Sequence, residues 1–112
     1  MASKIKSLAY FDSRFKRLAK KYKTLSSELV EFAESLSNNP KQGVDLGGGF
    51  YKVRMASESK GGGKSGGFRV ITYYIEKTEE GETLYLVTIY DKSEISTVNR
   101  KTLQEIVQSE LE

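Results

Sequence analysis

The chain has 112 residues, of which 38% are hydrophobic and 29% are charged, with a formal net charge of +3 at pH 7. This length suits one modest core, so we expect a single domain over residues 1–112. Cys and His are absent, which excludes disulfides, thiolate metal sites and catalysis that needs an imidazole. The carboxylates show no paired spacing typical of a two-metal nuclease or a glycosidase. No metal and no cofactor are therefore predicted.

Targeting and membrane signals are missing from the sequence. The segment Met1–Lys4 lacks the apolar core of a signal peptide, and no apolar run approaches the roughly 18 residues of a membrane span. We expect a cytoplasmic protein without membrane contact. Basic residues crowd the first quarter of the chain and acidic residues the far end, so the basic side is expected to attract nucleic acid.

Helical periodicity dominates the first third of the chain. Apolar residues of Phe11–Tyr22 recur at spacings of three and four, which predicts a helix from about Asp12 to Lys23. Thr24 is the predicted N-cap of a second helix, which ends near Asn38-Asn39-Pro40 because proline cannot continue it. The short link indicates an antiparallel helix pair. A weak alternation around Ile5 indicates a first strand.

Beyond Gly43 the pattern alternates. Strands are predicted at Phe50–Met55, Phe68–Glu76 and Thr83–Tyr90, and Asn99 is the predicted N-cap of a terminal helix. The order β-α-α-β-β-β-α predicts an α+β fold in which an N-terminal antiparallel helix pair packs on a small antiparallel sheet.

A glycine-lysine stretch, residues 61–67, separates two predicted strands that carry cations. If these strands pair, five cations share one small surface: Lys52, Arg54, Lys60, Lys64 and Arg69. Such a cluster repels itself and contributes little to folding, which favours a ligand with several negative charges, such as a phosphodiester chain.

A P-loop and a flexible hairpin tip are the alternatives for this stretch. Gly63-Lys64-Ser65 is similar to the end of a P-loop, but the leading glycine would fall on Glu58, and a strand-like segment follows where the motif requires a helix. Triphosphate binding is therefore excluded. A flexible hairpin tip explains the glycines but not the cations. For a single strand cation a solvated sheet face stays open, whereas Arg69 has apolar neighbours on both faces, where an idle charge is costly.

The first predicted helix has a basic face formed by Arg14, Arg17, Lys20 and Lys21. It is suited to holding structured RNA, with a plain solvated face as the alternative. Lys92 follows the last predicted strand, where its ammonium can reach the same patch as the strand cations. An exposed lysine is the alternative there.

Five motifs follow one another along the chain: Leu18–Leu25, Asn39-Pro40, Gly49–Arg54, Gly63–Ile71 and Ile89–Glu94. Their succession resembles that of RelE/ParE-superfamily toxins, nearest the HigB-like branch of RelE. The resemblance implies the RelE-like α+β fold and a toxin of a bacterial type II toxin–antitoxin system. It also implies ribosome-dependent cleavage of messenger RNA by a site built from Lys, Arg and sometimes Tyr.

The resemblance assigns roles to individual residues. Lys52 and Arg54 fall on the family's basic strand, Arg69 on its central arginine, and Lys92 on the basic residue after the last strand, so these four are the predicted catalytic residues. In the terminal helix region, where the family often has a further Tyr or basic residue, this sequence offers Arg100. The residues predicted to bind RNA are Lys60, Lys64, Arg14, Arg17, Lys20 and Lys21.

The implied reaction is attack of an RNA 2′-hydroxyl on the adjacent phosphorus, without a metal. Lys52 is the hypothetical general base, Arg54 and Arg69 hold the phosphoryl oxygens, and Lys92 or Lys64 protonates the leaving group. The implied partners are a cognate antitoxin, messenger RNA in the ribosomal A site and ribosomal RNA. Two alternatives stay open: a ParE-like toxin that inhibits gyrase, and an RNA-binding module without chemistry.

Overall fold

A computed structural model of the chain describes residues 3–60, 67–91 and 99–111. Its elements, in chain order, are β1 (Lys4–Ser7), α1 (Ala9–Lys21), α2 (Leu25–Asn38), β2 (Val44–Gly47), β3 (Phe50–Met55), β4 (Phe68–Thr78), β5 (Gly81–Asp91) and α3 (Arg100–Leu111). The predicted α+β class is confirmed, and the four predicted strands and three predicted helices lie close to their expected positions.

The five strands form one sheet in the order β1-β5-β4-β3-β2. Two features differ from the expectation. The sheet is mixed, because β1 pairs with β5 in parallel while the other neighbours are antiparallel. A further strand, β2, pairs with β3 through only three residue pairs with an irregularity among them. Strand β2 was not predicted because it is short and flanked by glycines, and it lacks the alternating run that identifies a strand in a sequence.

Two hydrophobic clusters hold the helices to opposite faces of the sheet. Phe11 and Leu18 of α1 and Leu25 and Leu36 of α2 pack on one face, against side chains that include Phe68. On the other face α3 packs over the sheet through Leu103, Ile106 and Val107, against Phe50, Ile71 and Val87. In the described part of the chain, no helix combines the length and the apolar character needed to span a bilayer.

The helix ends show which capping predictions hold. Asn99 accepts a hydrogen bond from the Thr102 N–H at 2.8 Å, which confirms it as a cap of α3. Thr24 precedes α2 as predicted but makes no capping hydrogen bond with its side chain, because its hydroxyl is bonded to Ser59. Helix α1 begins before Asp12, at Ala9, where the Glu110 carboxylate of α3 accepts the Ala9 N–H at 2.6 Å.

Candidate functional site

The register between β3 and β4 brings three predicted site residues to one face of the sheet. Arg54 lies directly opposite Arg69, and Lys52 lies opposite Ile71. Side chains of opposed residues in an antiparallel pair share a face, with Cβ atoms about 5 Å apart, and residues two apart on a strand also share it. Lys52, Arg54 and Arg69 are called the basic sheet face below. Helix α3 packs on the same face, over Phe50 and Ile71.

Arg69 is the buried member of the basic sheet face. Arg69 is only 6% exposed, whereas Lys52 is half-buried and Arg54 is exposed. Its guanidinium donates a hydrogen bond to the Phe68 carbonyl at 3.3 Å. A buried charge is costly unless it is paired, so the position of Arg69 needs an explanation beyond folding.

No carboxylate within the described ranges forms an ion pair with Lys52, Arg54 or Arg69. Two like charges placed directly opposite each other on neighbouring strands cost about 0.2–1 kcal/mol. The fold thus accepts a local electrostatic penalty at this place. An anion bound between the two guanidinium groups would relieve it, since arginine binds phosphate through charge-assisted, often bidentate hydrogen bonds.

Tyr90 is a neighbour of Arg69 that the sequence did not identify as a site residue. It lies opposite Arg69 on β5 and is 9% exposed. Burial raises the pKa of the Tyr90 hydroxyl, and the positive charge of Arg69 opposes part of that rise. The phenol therefore stays neutral at physiological pH and can donate a hydrogen bond. Only the β4–β5 register, which a single sequence does not show, reveals this pairing.

Lys60 does not join the basic sheet face. Its ammonium lies 3.1 Å from an oxygen of Asp91, at the end of β5, and 5.9 Å from the centre of the Phe68 ring. Met55, Phe68 and Asp91 form the row of opposed residues next to Arg54, Arg69 and Tyr90, on the face that α1 and α2 cover. The side chains of Lys60 and Asp91 are 17% and 9% exposed. The expected surface of five cations is thus wrong for Lys60.

Residues 57–60, called the anchored segment below, are tied to the start of α2. The Glu28 carboxylate accepts hydrogen bonds from the Ser57 hydroxyl at 2.6 Å and from the Glu58 N–H at 2.8 Å. Thr24 and Ser59 exchange backbone and hydroxyl hydrogen bonds. Burial alone would raise the pKa of Glu28, but the hydrogen bonds from Ser57, Glu58 and Thr24 outweigh it and hold the pKa below its usual range.

A cavity of about 590 Å³ lies between α2 and the end of β3. Arg54 contributes to its wall together with Phe32 and the carboxylates of Glu28, Glu31 and Glu58. The basic sheet face therefore has an acidic border on this side. Among the described residues, no three side chains of the types that bind metals come close enough to hold an ion.

The basic residues of α1 form a separate surface. Arg14, Arg17, Lys20 and Lys21 are called the basic ridge; the last three are exposed, and α1 packs on the sheet face opposite to the one that carries the basic sheet face. Arg14 is partly engaged, because its guanidinium stacks 3.4 Å from the centre of the Tyr10 ring and donates to the Tyr10 carbonyl.

Three predicted positions remain: Lys64, Lys92 and Arg100. Lys64 and Lys92 lie outside the described residues. Arg100 stands at the start of α3 against the β2–β3 turn. A Cβ at Gly47 would lie 2.5 Å from its Nη1, and the φ of +88° there also favours glycine. Arg100 thus packs on this turn rather than on the row of Arg54 and Arg69.

A family model described as "RelE toxin of RelE / RelB toxin-antitoxin system" matches residues 9–111. The chain belongs to the RelE toxin family. The resemblance inferred from the motif order is confirmed at this level, and its placement nearest the HigB-like branch stays a prediction. As a RelE-family toxin, the protein has an antitoxin as its expected partner.

Proposed function

We propose that this RelE-family protein is a ribosome-dependent endoribonuclease that cleaves messenger RNA in the ribosomal A site and so inhibits translation. The supporting observation is the direct opposition of Arg54 and Arg69, with Lys52 on the same face and no carboxylate paired to them in the described ranges. A scissile phosphate is the ligand that such an arrangement fits best.

In the proposed reaction the RNA 2′-oxygen attacks the adjacent phosphorus, and the bond from phosphorus to the 5′-oxygen breaks. The products are a 2′,3′-cyclic phosphate and a 5′-hydroxyl. Lys52 takes the proton of the 2′-hydroxyl, while Arg54 and Arg69 hold the non-bridging oxygens as negative charge develops in the transition state. Lys92 or Lys64 gives a proton to the leaving oxygen. No step needs a metal ion or a cofactor.

Tyr90 has a supporting role in this proposal. The Tyr90 hydroxyl is neutral at physiological pH, and burial raises its pKa further, so Tyr90 can donate a hydrogen bond to the phosphoryl group that Arg69 holds. Lysine and arginine transfer protons slowly near neutral pH, so the chemistry depends on the ribosome to bend the message into line. The basic ridge of α1, on the other side of the molecule, is the surface proposed to bind ribosomal RNA.

The test is to express the wild-type protein and Arg69→Ala in bacteria without the antitoxin and to map the 5′ ends of transcripts. Wild-type protein should create new 5′-hydroxyl ends within translated messages, and Arg69→Ala should not. Lys77→Ala is the matched control, because Lys77 is an exposed cation at the far end of β4. Equal growth arrest by the wild type and Arg69→Ala would refute the site, and a DNA-damage response without message cleavage would indicate gyrase instead.

A further inference from the structure

Lys60 and Asp91 form an ion pair at the end of β5, next to the residues of the basic sheet face. Lys60 Nζ lies 3.1 Å from Asp91 Oδ1, and both side chains are largely buried. Asp91 directly follows Tyr90 on β5 and lies opposite Phe68, the residue before Arg69 on β4. Asp91 is thus the immediate neighbour of Tyr90 on β5, and the residue opposite it on β4 is the immediate neighbour of Arg69.

The backbone that presents Lys60 is fixed independently of Asp91. The preceding residues of the anchored segment bond to Glu28 and Thr24 at the start of α2. The ion pair therefore links α2, through Lys60, to the end of β5. Because the ammonium lies over the Phe68 ring and its side chain is only 17% exposed, it is poorly placed to meet a phosphate.

We propose that Lys60 and Asp91 are positioning residues of the nuclease site. Their ion pair holds the end of β5 and so fixes where Tyr90 and Arg69 stand relative to the scissile phosphate, without contact with RNA. This inference rests on the proposed function. It gives Lys60 a role without RNA contact, whereas the sequence-based expectation is that Lys60 binds RNA.

The first experiment measures kcat and KM for cleavage of a message on ribosomes by Lys60→Met, Asp91→Asn and the double variant, with Lys77→Met as the control. We expect each single variant to lower kcat about tenfold or more, since small displacements at a reacting centre have large effects on rate. KM should stay within about twofold of the wild-type value, and the double variant should be no slower than the slower single variant, because residues in one ion pair are not additive.

The direction of the Asp91→Asn effect separates the two roles. If Lys60 binds RNA, removing its competitor Asp91 frees the ammonium, so KM should fall and kcat should stay unchanged. That result, or unchanged kinetics in both single variants, would overturn the inference. Lys60→Arg preserves the charge pair and should retain a kcat within about twofold of the wild type. A loss of rate in this conservative variant would also contradict a role through pairing.

A spectroscopic readout keeps the inference testable if the wild type does not cleave RNA. The NMR signals of the Arg69 Nε–Hε group and the Tyr90 ring should shift in Lys60→Met and Asp91→Asn but not in Lys77→Met. Shifts without wild-type cleavage would support the positioning by Lys60 and Asp91 while the proposed function fails. Unchanged signals would overturn the positioning itself. Lys60→Arg, whose signals should match those of the wild type, serves as the comparison should Lys60→Met fail to fold.

Discussion

The basic ridge and the basic sheet face are both clusters of positive charge, but they are built differently. The ridge lies on one helix, its cations are mostly exposed, and Arg14 is satisfied locally by Tyr10. The sheet face joins residues from two strands, and its central member, Arg69, is buried. Exposed lysines and arginines on a helix cost little and attract any polyanion, whereas a buried arginine that lies opposite a second arginine is costly unless an anion or another polar partner compensates its charge. This difference supports the proposed roles, RNA attraction for the ridge and chemistry for the sheet face.

The largest expected effect tests the sheet face. Arg69→Met should lower kcat for message cleavage by about 100-fold or more, as removal of one preorganised donor to a developing oxyanion does. The free energy of unfolding of the same variant should equal or exceed that of the wild type. The reason is that an apolar side chain replaces a buried cation that has no carboxylate partner among the described residues. Single-turnover kinetics and urea unfolding measure the two effects. A large loss of stability together with activity would show that Arg69 is structural.

The basic ridge should respond in binding rather than in chemistry. Replacing Arg17, Lys20 and Lys21 together by Ala should weaken binding to ribosomes by about tenfold or more near physiological salt, and should lower the slope of log affinity against log salt by about two to three. The cleavage rate at saturating ribosomes should not change. Binding titrations at several salt concentrations measure the slope. If kcat falls while the slope stays constant, the division of roles between the two clusters is wrong.

Glu28→Gln tests how firmly the anchored segment holds the sheet end. The variant loses charge-assisted hydrogen bonds to Ser57 and Glu58, so its free energy of unfolding at pH 7 should fall by about 1 kcal/mol, a value at the low end because Glu28 is only half-buried. Because folding lowers the pKa of Glu28, its contribution is present above the unfolded pKa and disappears as the pH falls through the folded value.

The corresponding measurement is urea unfolding of both proteins from pH 7 to pH 3. The difference in unfolding free energy between the wild type and Glu28→Gln should shrink as the pH falls below the ordinary carboxyl range. A difference that stays constant over this range would mean that the Glu28 charge does not hold the segment.

The smallest effect is expected within the ridge. Arg14→Ala should weaken ribosome binding by less than about twofold, because its guanidinium already stacks on Tyr10, and should lower the unfolding free energy by about 0.5–1 kcal/mol through loss of the stacked pair. Arg17→Ala, at an exposed position of the same helix, is the matched comparison. It should weaken ribosome binding more than Arg14→Ala does and should lower the free energy of unfolding less. Binding and urea unfolding of the two variants side by side give the answer.

Local patterns predicted most of the fold. The helices followed from apolar spacing, the long strands from alternation, and the α3 cap from Asn99, because each of these signals acts over a few residues. The early start of α1 was not predictable, since the carboxylate that accepts its first N–H groups belongs to Glu110 at the other end of the chain. Parallel pairing of β1 with β5 is likewise a long-range choice that a short, weakly alternating strand does not reveal.

The candidate site was also predicted only where its residues depend on local sequence signals. Lys52 and Arg54 share a face through strand alternation, and Arg69 stood out because a charge in an apolar strand is unusual. Tyr90 and the Lys60–Asp91 pair depend on register and on how the anchored segment turns back to α2, which involve contacts between distant residues. The sequence placed Lys60 among the RNA-binding residues, which stays a prediction, but it does not show that the Asp91 carboxylate lies 3.1 Å from the Lys60 ammonium.

The parallel pairing of β1 with β5 has a consequence for synthesis of the protein. Lys4–Ser7 is synthesised well before its partner strand, Gly81–Asp91, and both helices of the first cluster and three strands lie between them in the sequence. The nascent polypeptide therefore cannot close its sheet early, and completion of the fold waits for a contact between distant parts of the sequence, which slows folding. A toxin-family protein built in this way completes its sheet only after β5 has been made, so an antitoxin present at that time would have the opportunity to meet it during synthesis.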